Sequence, residues 1–317
     1  MPVGAQGSAF KLYGKVEATE GTAPTGNWDQ FPCFSMALTA TQDMQQDNVL
    51  SSGTTRDAGD PLYGLIRVEG NARVPIETVH FGRWLRLLMG NPTTSGATNF
   101  THTFKTGGTS LPSFSFEKAF PDITRYEVAK GVRANTLQVS MAPDGAAAAT
   151  IGLMGLSEAT SASSAAGTPV VTSYNRFHNV NGSITKGGSA LAAVTGGEFT
   201  ITNDMEMVAA IRSDYAMEGI DFGQSSASGT ITLRFKDHTL RTDANNRTSV
   251  ALAYALTIDS NTSVTFNFPR AFLAAQGNPV EGPRGISQSF RFIAAFDSSS
   301  ATSVSVVYKN QVASYSA

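Results

Sequence analysis

An internal repeat constrains this fold more than any other feature, because the pattern of the first half of the chain returns in order in the second. Phe114, Phe116, Ala119 and Phe120 recur as Phe266, Phe268, Ala271 and Phe272. Asp43 and Met44 recur as Asp204 and Met205, residues 68–70 align with 227–229, and residues 131–133 align with 282–284. A repeat spaced by about 150–160 residues is a duplicated domain rather than the short unit of a solenoid. The sequence therefore predicts two similar tandem domains, a first copy (residues 1–160) and a second copy (residues 161–317).

Length and composition fit two ordinary domains and argue against several classes of function. The 317 residues are enough for two hydrophobic cores, and residues 157–167, rich in Ser, Ala and Gly, suggest a linker. A net charge of −2 without basic blocks argues against reading of nucleic-acid grooves. The single Cys33 excludes an internal disulfide and predicts folding in a reducing cytoplasm. The sequence lacks a signal-peptide pattern and a membrane-length apolar run, so neither export nor membrane insertion is expected.

Strand patterns dominate the chain. Val68, Ala72, Val74 and Ile76 alternate with Arg67, Glu69, Asn71 and Arg73, which is the period-two pattern of a half-buried antiparallel strand. Ile231, Leu233 and Phe235 alternate with polar residues in the same way, and the two Phe-rich segments are predicted to be core strands. Residues 136–141 and 302–308 are further strand candidates, and Pro143 to Gly145 predicts a hairpin turn.

One segment has helical rather than strand periodicity. Phe81, Trp84, Leu85 and Leu88 form an amphipathic stripe, with Thr78 as the candidate N-cap and Gly90 at the end. Residues 247–256 offer a weaker counterpart in the second copy. The predicted fold class is mainly β, with two tandem antiparallel β-sandwich or barrel domains that each carry about one α-helix.

Two long polar stretches interrupt the strands at matching places, residues 45–60 and 206–224. Connections of this length inside compact domains are usually functional or disordered. Their recurrence in both copies favours function.

Chemistry-bearing motifs are absent from the sequence. His80, His102, His178 and His238 are scattered, without metal-ligand spacing, and no nucleophile elbow, phosphate loop or dinucleotide fingerprint is present. The sequence therefore predicts neither an enzyme nor a cofactor or metal site.

Residues 11–25, which run Lys-Leu-Tyr-Gly-Lys-Val-Glu-Ala-Thr-Glu-Gly-Thr-Ala-Pro-Thr, resemble the opening of tail tube proteins of long-tailed bacteriophages. Residues 31–38 resemble the strand that enters the domain in that family. The long loop before a strand, the helix after it and the downstream aromatic strand are also similar. The second copy lacks a clear Gly-Thr-Ala-Pro opening, so residues 172–197 match least well.

This resemblance implies a tail tube of stacked rings, each a continuous β-barrel built by six similar domains. A duplicated chain would then form the ring from three copies. About 24 strands, spaced by about 4.8 Å and tilted by roughly 40°, give a circumference of about 150 Å and a bore of about 38 Å after subtraction of side chains. Duplex DNA is on the order of 20 Å across, so it passes through this bore.

The resemblance also implies partners, a location and site residues. The partners are the protein itself, the tape measure, tail terminator and baseplate or tip proteins, and genomic DNA that passes without sequence-specific binding; no membrane is involved. The location is the virion tail, assembled in the bacterial host cytoplasm. A lumen with acidic or neutral side chains avoids retarding DNA, and the lumen candidates are Asp43, Asp47, Asp204 and Glu206. The candidates for ring stacking are Ser51, Arg56, Asp57, Asp60, Arg212, Asp214 and Asp221.

Two alternatives stay open at this point. A secreted two-domain β-sandwich that binds carbohydrate or acts as an adhesin would explain the strands, but usually has a signal peptide and exposed aromatic residues. Another virion ring, such as a tail-end or baseplate hub protein, shares the expected fold.

Overall fold

The computed structural model of the chain describes residues 4–46, 57–191, 193–280 and 282–316. Antiparallel strands dominate, as the alternating pattern predicts. In the first copy they are β1 (Lys11–Val16), β2 (Asp29–Phe31), β3 (Ser35–Met36), β4 (Thr39–Gln45), β5 (Leu62–Pro75), β6 (Thr93–Ser95), β7 (Phe100–Lys105), β8 (Phe114–Phe120), β9 (Arg125–Met141), β10 (Ala148–Gly155) and β11 (Ser157–Ser161). In the second they are β12 (Gly182–Lys186), β13 (Ser189–Ala190), β14 (Val194–Thr202), β15 (Glu206–Val208), β16 (Gly219–Asp221), β17 (Ser226–Arg234), β18 (Val250–Asp259), β19 (Thr262–Leu273), β20 (Ser287–Ala294) and β21 (Ser305–Asn310). The helices are α1 (Phe81–Met89) and α2 (Thr239–Asn245), with a 3-10 turn at Asn179–Asn181.

One sheet, here called the main sheet, runs through both copies. Its strands follow the order β4, β5, β10, β9, β14, β17, β20, and every neighbouring pair is antiparallel. The pairing of β9 with β14 joins the first copy to the second. β7 adds to β21 of the second copy, so the copies are also joined outside the main sheet.

The long strand β9 belongs to two layers. Its first half pairs with β8 and β11, and its second half pairs with β10 and β14. β19 behaves similarly, since it pairs with β18 and β21 and ends against β20. Apolar side chains between the layers form one hydrophobic core that extends through both copies.

The same order of pairings occurs twice. β4–β5, α1 and β8–β9–β10 correspond to β14–β17, α2 and β18–β19–β20, and β11 lies against β9 as β21 lies against β19. This order aligns β8 with β18, so the sequence match between Phe114 and Phe266 joins strands that are not equivalent. The match of residues 131–133 with 282–284 is also wrong, because it joins a strand to a loop. Alternating apolar residues suit every half-buried strand, and the motif therefore does not identify which strand it marks.

α1 confirms the predicted helix, but its first turn is bound by a different residue from the one expected. Glu77 accepts the Phe81 N–H at 2.6 Å and the Val79 N–H at 2.8 Å, whereas the Thr78 hydroxyl accepts the Asn175 N–H. Gly90 ends the helix with a φ of 85°. Gly has no Cβ, so it adopts this conformation without strain.

The helix predicted at residues 247–256 is wrong. The second helix lies earlier, at Thr239–Asn245, and Val250–Asp259 is the strand β18. Val250, Leu252, Tyr254 and Leu256 are buried in alternation, which is strand periodicity.

The stretch predicted as a linker is part of the fold. Ser157–Ser161 forms β11 on β9, and Glu117 accepts hydrogen bonds from Ser164 Oγ at 2.6 Å and the Ala165 N–H at 2.5 Å. Glu117 is therefore buried, and Ser115, whose hydroxyl donates to Glu17 Oε1 at 2.6 Å, is buried as well. The division of the chain at residue 160 stays a prediction.

Candidate functional site: the polar face and edges of the main sheet

The main sheet has one apolar and one polar face. Across five strands, one row of paired residues is fully apolar and buried: Ala72, Ile151, Leu137, Ile201 and Ala227. The row on the opposite face is polar: Arg73, Thr150, Gln138, Thr200 and Ser228. Because side chains alternate between faces, the core holds one side of the sheet and leaves the other to solvent.

The polar face carries mostly uncharged polar side chains, with a few charged side chains among them. Its exposed charged residues include Arg67, Arg73, Arg234 and Arg291, with Glu69 and Glu198. The face is therefore polar with charges of both signs rather than uniformly acidic.

The described lumen candidates lie at one end of the main sheet. Asp43 is exposed in β4, and Asp204 is exposed just after β14, where the Thr202 hydroxyl accepts its N–H at 3.1 Å. Glu206 is exposed in the small β15–β16 pair. Asp43 lies near the end of β4, and Asp204 lies just after the corresponding strand β14, which is an interior strand of the main sheet. Asp47 lies outside the described residues.

The second long loop is bound to its own chain. Met205 and Ile220 pack with Leu111, and the Ile66 N–H of β5 donates to the Tyr215 carbonyl oxygen at 2.8 Å. The Arg133 guanidinium lies over the Phe222 ring, 4.9 Å from its centroid. This loop of the second copy therefore covers the first copy, which the polar composition of the segment did not reveal.

The stacking candidates of this loop are exposed and paired with each other. Arg212 Nε lies 2.8 Å from Asp214 Oδ1, and Arg212 also pairs with Glu218. The hydrogen bond from Arg212 lowers the pKa of Asp214 and keeps it ionised. Asp221 is exposed on β16 opposite Glu206.

The first long loop is described only at its ends. Asp57 and Asp60 are exposed, and the Gln46 side-chain amide donates to the Gly59 carbonyl oxygen at 2.5 Å. Ser51 and Arg56 lie outside the described residues. β4 and β14 are separated by four antiparallel steps and run in the same direction, so both long loops leave the same end of the main sheet.

The main sheet ends in two strand edges. In the part of the chain that is described, β4 pairs with β5 on one side only, and at the other end β19 and β20 pair over just Ala271–Leu273. Residues 274–280 continue from β19 without regular pairing and are mostly exposed. Exposed strand edges can pair with another chain, and no pattern in the sequence marks these residues.

Within the described ranges, no group of three or more His, Cys, Asp or Glu side chains is placed to hold a metal ion. No helix in those ranges has the length and apolar character needed to cross a membrane.

The described residues therefore combine a mainly β fold with a polar sheet face, polar loops at one end of the main sheet and open sheet edges. The family model described as phage tail tube protein matches residues 7–294, so the chain belongs to the phage tail tube family. It is a structural component of a bacteriophage tail, and this membership implies a non-enzymatic role. No curated protein matches the chain.

Proposed function

We propose that this protein polymerises as stacked rings into the phage tail tube, with three chains and pseudo-sixfold symmetry in each ring. The observation that carries the proposal is the order of pairings that occurs twice within one main sheet. Each chain supplies two equivalent sixths of a ring in this arrangement, as expected for a duplicated ring domain.

The strand count agrees with the proposed ring. The main sheet contains seven paired strands, and residues 274–280 follow β19 where an eighth would lie. Three chains then give about 24 strands and a bore of about 38 Å, wider than duplex DNA.

In this tube the polar face of the main sheet lines the conduit for DNA ejection. Ser, Thr, Asn and Gln hydrate well, and interspersed carboxylates oppose lasting phosphate contacts by Arg. DNA passes without sequence-specific binding, and the tape measure protein is a partner of the tube.

The long loops form the axial contacts between rings. Both loops leave the same end of the main sheet, so three chains present six loops toward the next ring. Asp57, Asp60, Arg212, Asp214 and Asp221 are the described residues proposed for stacking, together with Ser51 and Arg56 from the sequence. The tail terminator and the baseplate or tip proteins bind the ends of the tube, and assembly takes place in the host cytoplasm.

Electron microscopy of the purified protein tests this function. We expect tubes, and a reconstruction without imposed symmetry should show three chains per ring with pseudo-sixfold density. Rings of six chains contradict the duplicated-domain arrangement. Isolated rings that never lengthen contradict the tube and favour a tail-end or baseplate ring.

A further inference from the structure

The joint between the two copies offers a template for contacts between chains. β9 and β14 pair antiparallel, with Leu137 opposite Ile201 and Thr136 opposite Thr202. The Asn203 N–H continues this ladder by donating to the Asn135 carbonyl oxygen at 2.8 Å. A neighbouring chain can repeat this ladder if the two open edges of the main sheet are structurally equivalent to β14 and β9.

β4 of the first copy is structurally equivalent to β14 of the second copy. One cross-strand row of the first copy is Thr39, Glu69, Met154 and Arg133, and the matching row of the second copy is Thr200, Ser228, Ile293 and Phe272. Thr39 therefore corresponds to Thr200, and Thr41 to Thr202.

The segment 274–280 follows β19 at the point where the second half of β9 begins in the first copy. Leu273 lies opposite Phe292 as Ala134 lies opposite Leu153, and both partners face equivalent glycines, Gly229 and Gly70. Leu273 is therefore equivalent to Ala134, and two residues further along each strand Ala275 is equivalent to Thr136. The Ala274 N–H already bonds the Arg291 carbonyl oxygen at 2.8 Å, so the segment leaves β19 toward β20.

We propose that the β4 edge of one chain pairs antiparallel with residues 274–280 of a second copy of the chain and reproduces the β9–β14 ladder. Thr41 then lies opposite Ala275, Ala40 opposite Gln276, and Thr39 opposite Gly277. This inference rests on the proposed ring and adds the strands and the register that close it.

The hydrogen-bonding groups of the β4 edge suit this partner. The Ala40 N–H points away from β5 and donates to Glu158 Oε1 at 3.2 Å. Ala40 is equivalent to Ile201, and the N–H of Asn203, two residues further along the same edge, donates to β9 across the joint between the copies. A neighbouring strand replaces this side-chain bond by a backbone bond and adds further bonds along the edge. Pro279 is compatible, since in this register its missing N–H faces β20 rather than β4.

Disulfide cross-linking tests the register. Thr41→Cys and Ala275→Cys are combined in a Cys33→Ser background, assembled, and oxidised with copper phenanthroline. Directly opposite residues have Cβ atoms about 4.5–5.5 Å apart, so we expect disulfide-linked dimers and trimers on a non-reducing gel. The matched control is Thr41→Cys with Gln276→Cys, where a one-residue slip places the side chains on opposite faces and cross-linking should fall roughly tenfold.

The outcomes separate this inference from the proposed function. Strong linkage of 41 to 275 with weak linkage of 41 to 276 supports the register. Rings that form without the 41–275 disulfide, or with equal linkage in the control, overturn the register while leaving the ring in place. A Cys33→Ser parent that forms neither rings nor tubes contradicts the proposed function itself.

Discussion

α1 is buried on nearly every side, whereas α2, at the same place in the order of pairings, buries only Leu240 and Ala244. The difference comes from what covers each helix. Tyr315, near the end of the second copy, packs so closely on α1 that a Cβ added to Gly82 would overlap its ring. Tyr315 also donates to the Val79 carbonyl oxygen at 2.6 Å. α1 is therefore a point where the two copies meet, whereas α2 packs on β19 of its own copy.

Trp84→Ala should give the largest loss of stability and tests this difference between the helices. Trp84 is 2% exposed and stacks on Phe116, with ring centroids 4.9 Å apart. We expect the free energy of unfolding to fall by about 3–5 kcal/mol, and by about 2–3 kcal/mol for the matched Leu240→Ala. Denaturant melts of unassembled protein measure both. A Trp84→Ala effect under about 1 kcal/mol would mean that the stripe of α1 does not anchor the core.

Glu17→Gln should have the next largest effect, because the first copy also contains a buried carboxylate bound on all sides. Glu17 accepts hydrogen bonds from the Ser113 and Ser115 hydroxyls and from the Gly21 and Gly131 N–H groups, at 2.6–2.8 Å. Gln offers one acceptor oxygen and turns an NH₂ toward these donors, so we expect a loss of about 2–3 kcal/mol. The exposed Glu69→Gln is the control, with a change within about 0.5 kcal/mol. Equal melts for both variants would contradict the anchoring role.

The sequence predicts some of the elements compared above, but not the tertiary contacts that cover them. The alternation around Val68 and the stripe of α1 identify elements correctly, because burial imposes local periodicity. The burial of Ser115 and Glu117 in β8 does not follow from the local sequence, because Glu17 and the segment after β11, both distant in sequence, cover them. The second long loop was predicted as a polar segment, but its packing on Leu111 and Arg133 depends on tertiary contacts that no local pattern encodes. The open sheet edges could not be predicted from the sequence, because an open edge is defined by missing pairing rather than by residue type.

A variant of His102 tests another contact between the copies, the pairing of β7 with β21. It is buried opposite Tyr308, and its Nε2 lies 2.9 Å from the Val312 carbonyl oxygen. Burial lowers the pKa of His102 below its ordinary 6.5. The unfolded chain therefore binds the proton first, so stability is full above about pH 6.5 and falls as the pH decreases below it. Melts between pH 7.5 and 5 should show this decrease, and His102→Gln should flatten it; an unchanged slope in the variant would assign the decrease to other groups.

Shortening the first long loop should have the smallest effect on stability and compares the two loops directly. Residues 51–60 are replaced by a Gly-Ser turn, while the second loop, bound through Ile220 and Phe222 to the first copy, is left intact. Since the described residues 57–60 are exposed, we expect the free energy of unfolding to change by less than about 1 kcal/mol. Tubes should nevertheless be lost or greatly shortened, because three of the six proposed axial contacts per ring are removed while the lateral pairing of strands is retained. Circular dichroism and electron microscopy on one preparation measure both effects. Folded protein with tubes of normal length would show that the first loop does not stack rings, and a misfolded chain would show that this loop, like the second, holds its own copy together.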